Sequence, residues 1–390
     1  MNEHIGDAPA TLLLQRAKYP DVDMEQAVRQ IEGKRQATTK WPSLAFSDTF
    51  LFPARLNREQ SSSEATAAYK QQIAARLLND VPHPVIADLT GGMGIDTIWL
   101  AKTDGSTVYY VEQSEELCRL MEHNRKALGA ENIEVHCADS MEWLVHVDLA
   151  IIDPARRDDR GRKVTAFEDC QPNILENLET LTSHCRHLLI KASPMIDISL
   201  ACQQLRGVSE VHILSVKGEC KEVLFIIETS VSSQMRDMHN TKIVCSELAD
   251  DNPDFQFSLD DEKNAAPTFC NQIGKYLYIP SAGIMKAAAF KLVSQRFGLE
   301  KLAPNTHLYT SNTHIADFPG RILSVLQEIK LDKKNVAKAI PEKQAHVLTR
   351  NFPNAAADLQ KQLGLKEGGD HFIVATTTGK SKIGLLCRQY

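Results

Sequence analysis

Long apolar runs are missing from this chain of 390 residues. None approaches the ~18 residues that span a bilayer, so no membrane helix is expected. The start, Met1-Asn-Glu-His-Ile-Gly, lacks the basic-then-apolar layout of a secretory signal. The nine cysteines include no Cys-x-x-Cys pair and no Cys/His cluster at zinc spacing. Their odd number also argues against a complete disulfide framework. A reducing cytoplasm and no structural metal are therefore expected, and the 13 histidines show no ligand pattern. Internal repeats and low-complexity tracts are absent. What remains is ordinary for a globular protein, with 43% hydrophobic and 24% charged residues. The length suggests two or three domains.

Against these absences stands Val85-Ile-Ala-Asp88-Leu-Thr90-Gly91-Gly92-Met-Gly94-Ile-Asp96. A short apolar run ends in a carboxylate, and a glycine-rich turn leads into an apolar helix. Glycines there let backbone N–H groups and a helix N-terminus approach a ligand. A second strand, Thr107–Glu112, ends in an acid about 20 residues on, where a ribose diol is usually held. The Gly-x-Gly-x-x-Gly of nicotinamide and flavin folds is not present. A third strand, Asn132–Cys137, is followed by Ala138-Asp139-Ser140. A fourth ends at Asp153-Pro154.

This array resembles the class I S-adenosylmethionine-dependent methyltransferases over Pro84–Thr229. The resemblance implies an α/β, Rossmann-like sheet, parallel with a C-terminal antiparallel hairpin. It also implies that Asp88, Thr90, Gly91, Gly92 and Gly94 hold the amino-acid end of S-adenosylmethionine. Glu112 would take the ribose hydroxyls, Asp139 and Ser140 the adenine, and Asp153 would lie beside the methyl group. Thr90 stands where the family often has its first glycine. The last two strands, Glu210–Val216 and Lys221–Glu228, are separated by only four residues. That is too short for a helical crossover and predicts the antiparallel hairpin.

Four segments follow from this reading. Residues 1–70 are a helical region, with Ser61 and Glu64 at capping-box spacing. Residues 71–230 are the methyltransferase domain. Residues 231–285 are an acidic linker with minor β structure. Residues 286–390 are a basic α/β domain that opens on a helix over Lys286–Phe297. From Lys286 on there are 16 Lys and Arg against 8 Asp and Glu; the chain as a whole carries −6, leaving −14 for the rest. A basic module beside an acidic body suits a nucleic-acid substrate. The order strand, helix, strand, helix, hairpin, with Phe318-Pro-Gly-Arg321 and Thr349-Arg350-Asn351-Phe352-Pro353, resembles the THUMP-like tail of a bacterial methyltransferase family. It implies an RNA partner, ribosomal or transfer RNA; the oligomeric state stays open.

Two chemistries compete at Asp153. Asp153-Pro154 resembles the motif that grips an exocyclic amine in base methyltransferases. Here Ala155 and Arg156 replace the second proline and the aromatic ring, so no stacking platform follows. Pro154, Arg156, Arg157 and Lys221 are candidate substrate contacts, arginines suiting a phosphate. Alternatively, Lys70, Asp153, Lys191 and Glu222 resemble, in order and element, the Lys-Asp-Lys-Glu tetrad of FtsJ-type RNA 2′-O-ribose methyltransferases. A ribose hydroxyl is a weak acid, and a lysine held between carboxylates can manage its departing charge. Ribose 2′-O transfer is the leading expectation and the base amine the alternative. A catalytically silent RNA-binding protein with this fold, or a small-molecule methyltransferase with an oligomerising tail, are the competing classes.

Overall fold

The computed structural model describes residues 4–143, 145–156, 167–229, 238–249, 253–379 and 381–390. The chain divides into two compact units, Met1–Val211 with Glu222–Met238, and His212–Lys221 with His239–Tyr390. Among the described residues no helix is long and apolar enough to cross a membrane.

The first unit opens with helices α1 (Pro9–Leu13), α2 (Met24–Lys40), α3 (Pro42–Ala45), α4 (Arg55–Gln60) and α5 (Glu64–Leu77). The cap of α5 is Ser63, whose Oγ accepts the Thr66 amide, and not Ser61. Glu64 turns outward instead and accepts from the Ser43 amide and hydroxyl, both at 2.9 Å. Arg58, 2% exposed, reaches two backbone carbonyls and Glu32, which ties α4 to α2.

The sheet that follows has strands β1 (Val85–Asp88), β2 (Thr107–Glu112), β3 (Ile133–Cys137), β4 (Val147–Ile152), β5 (Cys185–Ala192), β6 (Val208–Val216) and β7 (Glu219–Glu228). Their order is β6-β7-β5-β4-β1-β2-β3. Strands β1 to β5 pair in parallel, and β7 lies antiparallel to β5. Lys217 and Gly218, at φ 53° and 75°, turn β6 into β7 with the twist that hairpins prefer. The parallel strands read as near-continuous apolar runs because both faces are covered. They are flanked by helices α6 (Ile95–Leu100), α7 (Glu115–Ala127), α8 (Ile174–Ser183) and α9 (Ile198–Leu205). Asn173 caps α8 by accepting the amides of Leu175 and Glu176.

The second unit contains β8 (Lys242–Glu247), β9 (Phe255–Ser258), α10 (Leu259–Asn264), β10 (Thr268–Phe269), β11 (Tyr276–Pro280), α11 (Ala282–Ala287) and α12 (Phe290–Phe297). It continues with β12 (Glu300–Ala303), β13 (Thr306–Ser311), β14 (Gly320–Ile329), α13 (Lys333–Ala339), β15 (His346–Arg350), α14 (Ala356–Leu363), β16 (His371–Thr378) and β17 (Ser381–Gln389). An eight-stranded sheet, β10-β12-β13-β11-β14-β17-β16-β15, has an apolar core on each face. Two expectations need correction. The acidic stretch read as a linker carries regular structure from Lys242 onward among the described residues: Asp261 completes the capping box of α10, and Phe255 and Phe257 turn inward. The helix expected over Lys286–Phe297 is two helices, broken at Ala288, which adopts φ 56°.

Candidate active site

The glycine loop is shaped by what packs behind it. Tyr110 lies against Gly91, where a Cβ would enter the ring. Its hydroxyl donates to the Gly92 carbonyl at 2.7 Å. Gly94 caps α6 at φ 82°, with the Met121 sulfur filling the space a side chain would need. Thr90, in place of the first glycine, ties the loop to the end of β4: its Oγ1 accepts the Asp153 amide at 2.7 Å. The threonine therefore fixes how the loop sits against Asp153.

The proposed ligand acids line the ends of successive strands. Glu112 accepts the Gly92 amide and the Ser114 amide, both at 2.9 Å, so its carboxylate stands at the mouth of the loop. Asp139 accepts from Gln113 Nε2 and from the Met141 amide, both at 2.8 Å, with Ser140 buried beside it. Asp88 is different. It is 3% exposed, accepts the Thr90 amide and hydrogen-bonds the Thr97 hydroxyl at 2.6 Å. Burial, with the field of Asp96 added, pushes its carboxyl up to about 7. Asp88 thus braces the loop from beneath. Glu112 at the end of β2 and Asp139 past β3 are both partly exposed, unlike Asp88.

The four tetrad candidates converge, although they come from α5, β4, β5 and β7. Lys191 Nζ donates to Asp153 Oδ2 at 2.6 Å and lies 3.9 Å from Glu222 Oε1. The opposite oxygen of Glu222 is 3.0 Å from Lys70 Nζ. Lys70 continues to Asp96 Oδ2 at 2.8 Å and Ser62 Oγ at 2.7 Å. The side chains of Lys70 and Glu222 are 0% and 6% exposed; those of Lys191 and Asp153 are 12% and 41%. The row of charges therefore opens to solvent at its Asp153 end. Burial pulls the Lys191 ammonium down, but the fields of Asp153, Glu222 and Asp96 outweigh it and the net shift is upward. Burial pushes Glu222 up, and Lys70 and Lys191 more than reverse it, so the carboxyl is held well below its usual range. Lys191 is an ammonium at neutral pH and Glu222 a carboxylate.

Asp96 and Ser62 did not stand out in the sequence. Asp96 was visible two residues past the glycine turn, but nothing local paired it with a lysine 26 positions earlier. The other candidates have different places. Pro154 is buried. The backbone of Ala155–Arg156 pairs antiparallel with Cys170–Gln171. Arg157 lies outside the described residues. Lys221 leaves β7 on the face opposite Glu222 and pairs with Glu219 at 2.6 Å.

Similar structures give this geometry a family. The crystal structure of a "putative methyltransferase from Porphyromonas gingivalis W83" is 30% identical, covers 100% of this chain and 96% of its own, and superposes with a TM-score of 0.84. The chain belongs to the family of that protein. The first unit has the class I methyltransferase fold, as its strand order already showed. An rRNA methylase from Streptococcus thermophilus is 19% identical over 40% of this chain and 93% of its own, with a TM-score of 0.29. In the second unit, residues 276–319 match a ferredoxin-like domain and residues 320–389 a THUMP domain-like model. The basic segment is thus a pair of modules that share one sheet. No curated protein is similar in sequence.

Proposed function

We propose that this family member transfers the methyl group of S-adenosylmethionine to RNA, with a ribose 2′-hydroxyl as acceptor. The observation that carries the reading is the row Asp153–Lys191–Glu222 at the strand ends, tied through Thr90 to the glycine loop. Glu112 and Asp139 would hold the ribose and adenine, and the loop from Thr90 to Gly94 the amino-acid end. When bound, S-adenosylmethionine supplies an electrophilic methyl group. The chain's own residues manage the acceptor. The Lys191 ammonium donates to the acceptor oxygen and stabilises the negative charge that grows there. As the acceptor oxygen takes the methyl group its O–H bond breaks and the Asp153 carboxylate, the exposed member of the row, takes the proton; the donor, having given up its S–CH3 bond, would leave as the neutral thioether. Glu222 keeps Lys191 charged, and buried Lys70 keeps Glu222 ionised. The THUMP domain-like match over residues 320–389 and the basic charge from Lys286 onward support RNA as the substrate class.

The test is tritiated methyl transfer into RNA from a strain lacking the gene, followed by alkaline hydrolysis. A 2′-O-methyl blocks cleavage of the adjacent phosphodiester, so label is expected in alkali-resistant dinucleotides. Lys191→Ala should lower the rate by about 10²–10³-fold while cofactor affinity stays within a few fold. Label found only in mononucleotides, with Lys191→Ala still active, would refute the ribose reading and favour a base amine gripped by Asp153-Pro154.

A further inference from the structure

Two cysteines meet beside the acid that ends β2. In the parallel ladder of β2 and β3, Tyr110 is opposite Val135 and Glu112 opposite Cys137. Residues so paired turn their side chains to one face, and every second residue of a strand shares it. Tyr110 marks which face this is: its ring and the Met121 sulfur both border the space where a Cβ of Gly94 would lie. Met121 belongs to α7, so Glu112 and Cys137 turn toward α7 as Tyr110 does. Cys118 stands on α7 three residues before Met121, on the same buried side of the helix.

Hydrogen bonds bring the sulfurs closer still. The Glu112 carbonyl accepts the Cys118 thiol at 3.3 Å and the Ala138 amide at 3.0 Å. One oxygen thus holds both the Cys118 sulfur and the residue that follows Cys137. The Cys137 thiol is 3.9 Å from the next carbonyl, that of Gln113, and within hydrogen-bonding reach of Cys118. Exposure divides the pair. Of the nine cysteines Cys137 alone is exposed, whereas Cys118 is 6% exposed. Burial, with Cys137 beside it, pushes the Cys118 thiol up to about 12, so Cys137 is the one that meets an oxidant.

The pair is tied to the candidate cofactor acids. Ser114 caps α7, and its amide donates to Glu112 Oε1 at 2.9 Å. Gln113 Nε2 donates to Asp139 Oδ2 at 2.8 Å. A disulfide draws two Cβ atoms to about 3.8 Å, and it removes the hydrogen that Cys118 gives to the Glu112 carbonyl. We propose that Cys137 and Cys118 form a peroxide-sensitive pair whose disulfide weakens S-adenosylmethionine binding. The switch rests on the reading of Glu112 and Asp139 as cofactor ligands. The Cys137 sulfur, having shed its proton, attacks one oxygen of hydrogen peroxide. The O–O bond breaks, a sulfenic acid forms, and the other oxygen leaves as hydroxide, which takes up that proton. The Cys118 sulfur then displaces the hydroxyl: the S–S bond forms, the S–O bond breaks, and the hydroxyl leaves as water with the Cys118 proton. Two thiols and one peroxide give one disulfide and two waters. Cytoplasmic thiols reverse such a bond by exchange.

The experiment treats the full chain with hydrogen peroxide, blocks the remaining thiols, and digests it for mass spectrometry. The peptides of Cys118 and Cys137 should appear joined, lighter by two hydrogens, and should separate with dithiothreitol. Calorimetry on the same samples should show S-adenosylmethionine bound about tenfold more weakly after oxidation, the worth of about one hydrogen bond to a charged group. Dithiothreitol should restore the affinity. Cys137→Ser, a change at an exposed position, should bind like reduced wild type before and after peroxide. Absence of joined peptides overturns the pair. Joined peptides with unchanged affinity, or an equal loss in Cys137→Ser, overturn the switch and leave the cofactor reading standing. A reduced wild type that binds no S-adenosylmethionine overturns both.

Discussion

Replacing Asp88 with asparagine tests the electrostatics beneath the glycine loop. The folded carboxyl titrates near 7 against an ordinary 3.8, because it is buried and Asp96 is close. A raised folded pKa means that the protonated acid is the favoured form. Its contribution to stability is complete below pH 3.8 and is lost as pH rises through 7. Three units at about 1.4 kcal/mol each make this loss on the order of 4 kcal/mol, fully developed near pH 8. Asparagine copies the protonated acid. Its amide can donate to the Thr97 hydroxyl and its carbonyl can accept the Thr90 amide, keeping both partners of Asp88. Asp88→Asn should therefore match wild type at pH 4 and exceed it at pH 8 by up to about 4 kcal/mol. The assay is urea unfolding followed by tryptophan fluorescence. All three tryptophans, Trp41, Trp99 and Trp143, belong to the first unit, so the signal reports that unit alone. Other titrating groups are common to both proteins and cancel in the difference. A stability difference that is the same at pH 4 and pH 8 would refute the reasoning.

Glu112→Ala removes the charged acceptor at the mouth of the loop. Calorimetry should show S-adenosylmethionine binding weakened by about 1–3 kcal/mol, and an affinity within twofold of wild type would exclude Glu112 from the ribose site. Lys70→Ala leaves Glu222 and Asp96 buried without their shared cation, and should destabilise the first unit by about 3–5 kcal/mol in the same fluorescence assay. A loss below 1 kcal/mol would mean that the buried carboxylates find another partner.

Much of the first unit was legible because its signals are local. The glycine turn at Thr90–Gly94, the acid at Glu112 and the Asp-Pro at 153 each lie within one strand and its loop. Spacing alone then gives their place in a parallel sheet. The short link between β6 and β7 forced an antiparallel hairpin in the same way. Capping and helix breaks were less legible: Ser61 and Ser63 both offer a hydroxyl near Glu64, and only the entry angle of α5 selects Ser63. The stretch after Thr229 reads as a linker because its acids dominate the composition, although one of them, Asp261, closes a capping box with Ser258.

By itself the sequence determined a mostly parallel sheet closed by an antiparallel hairpin and the residue types at the strand ends, since hydrophobic period and turn chemistry act over a few residues. Tertiary structure decided what those residues are. Lys70 is a buried cation bridging Asp96 and Glu222, Lys191 is an ammonium, and Asp88 braces the loop as a raised acid. A protonation state depends on burial and on charges brought near from distant segments, and neither exists until the chain has folded.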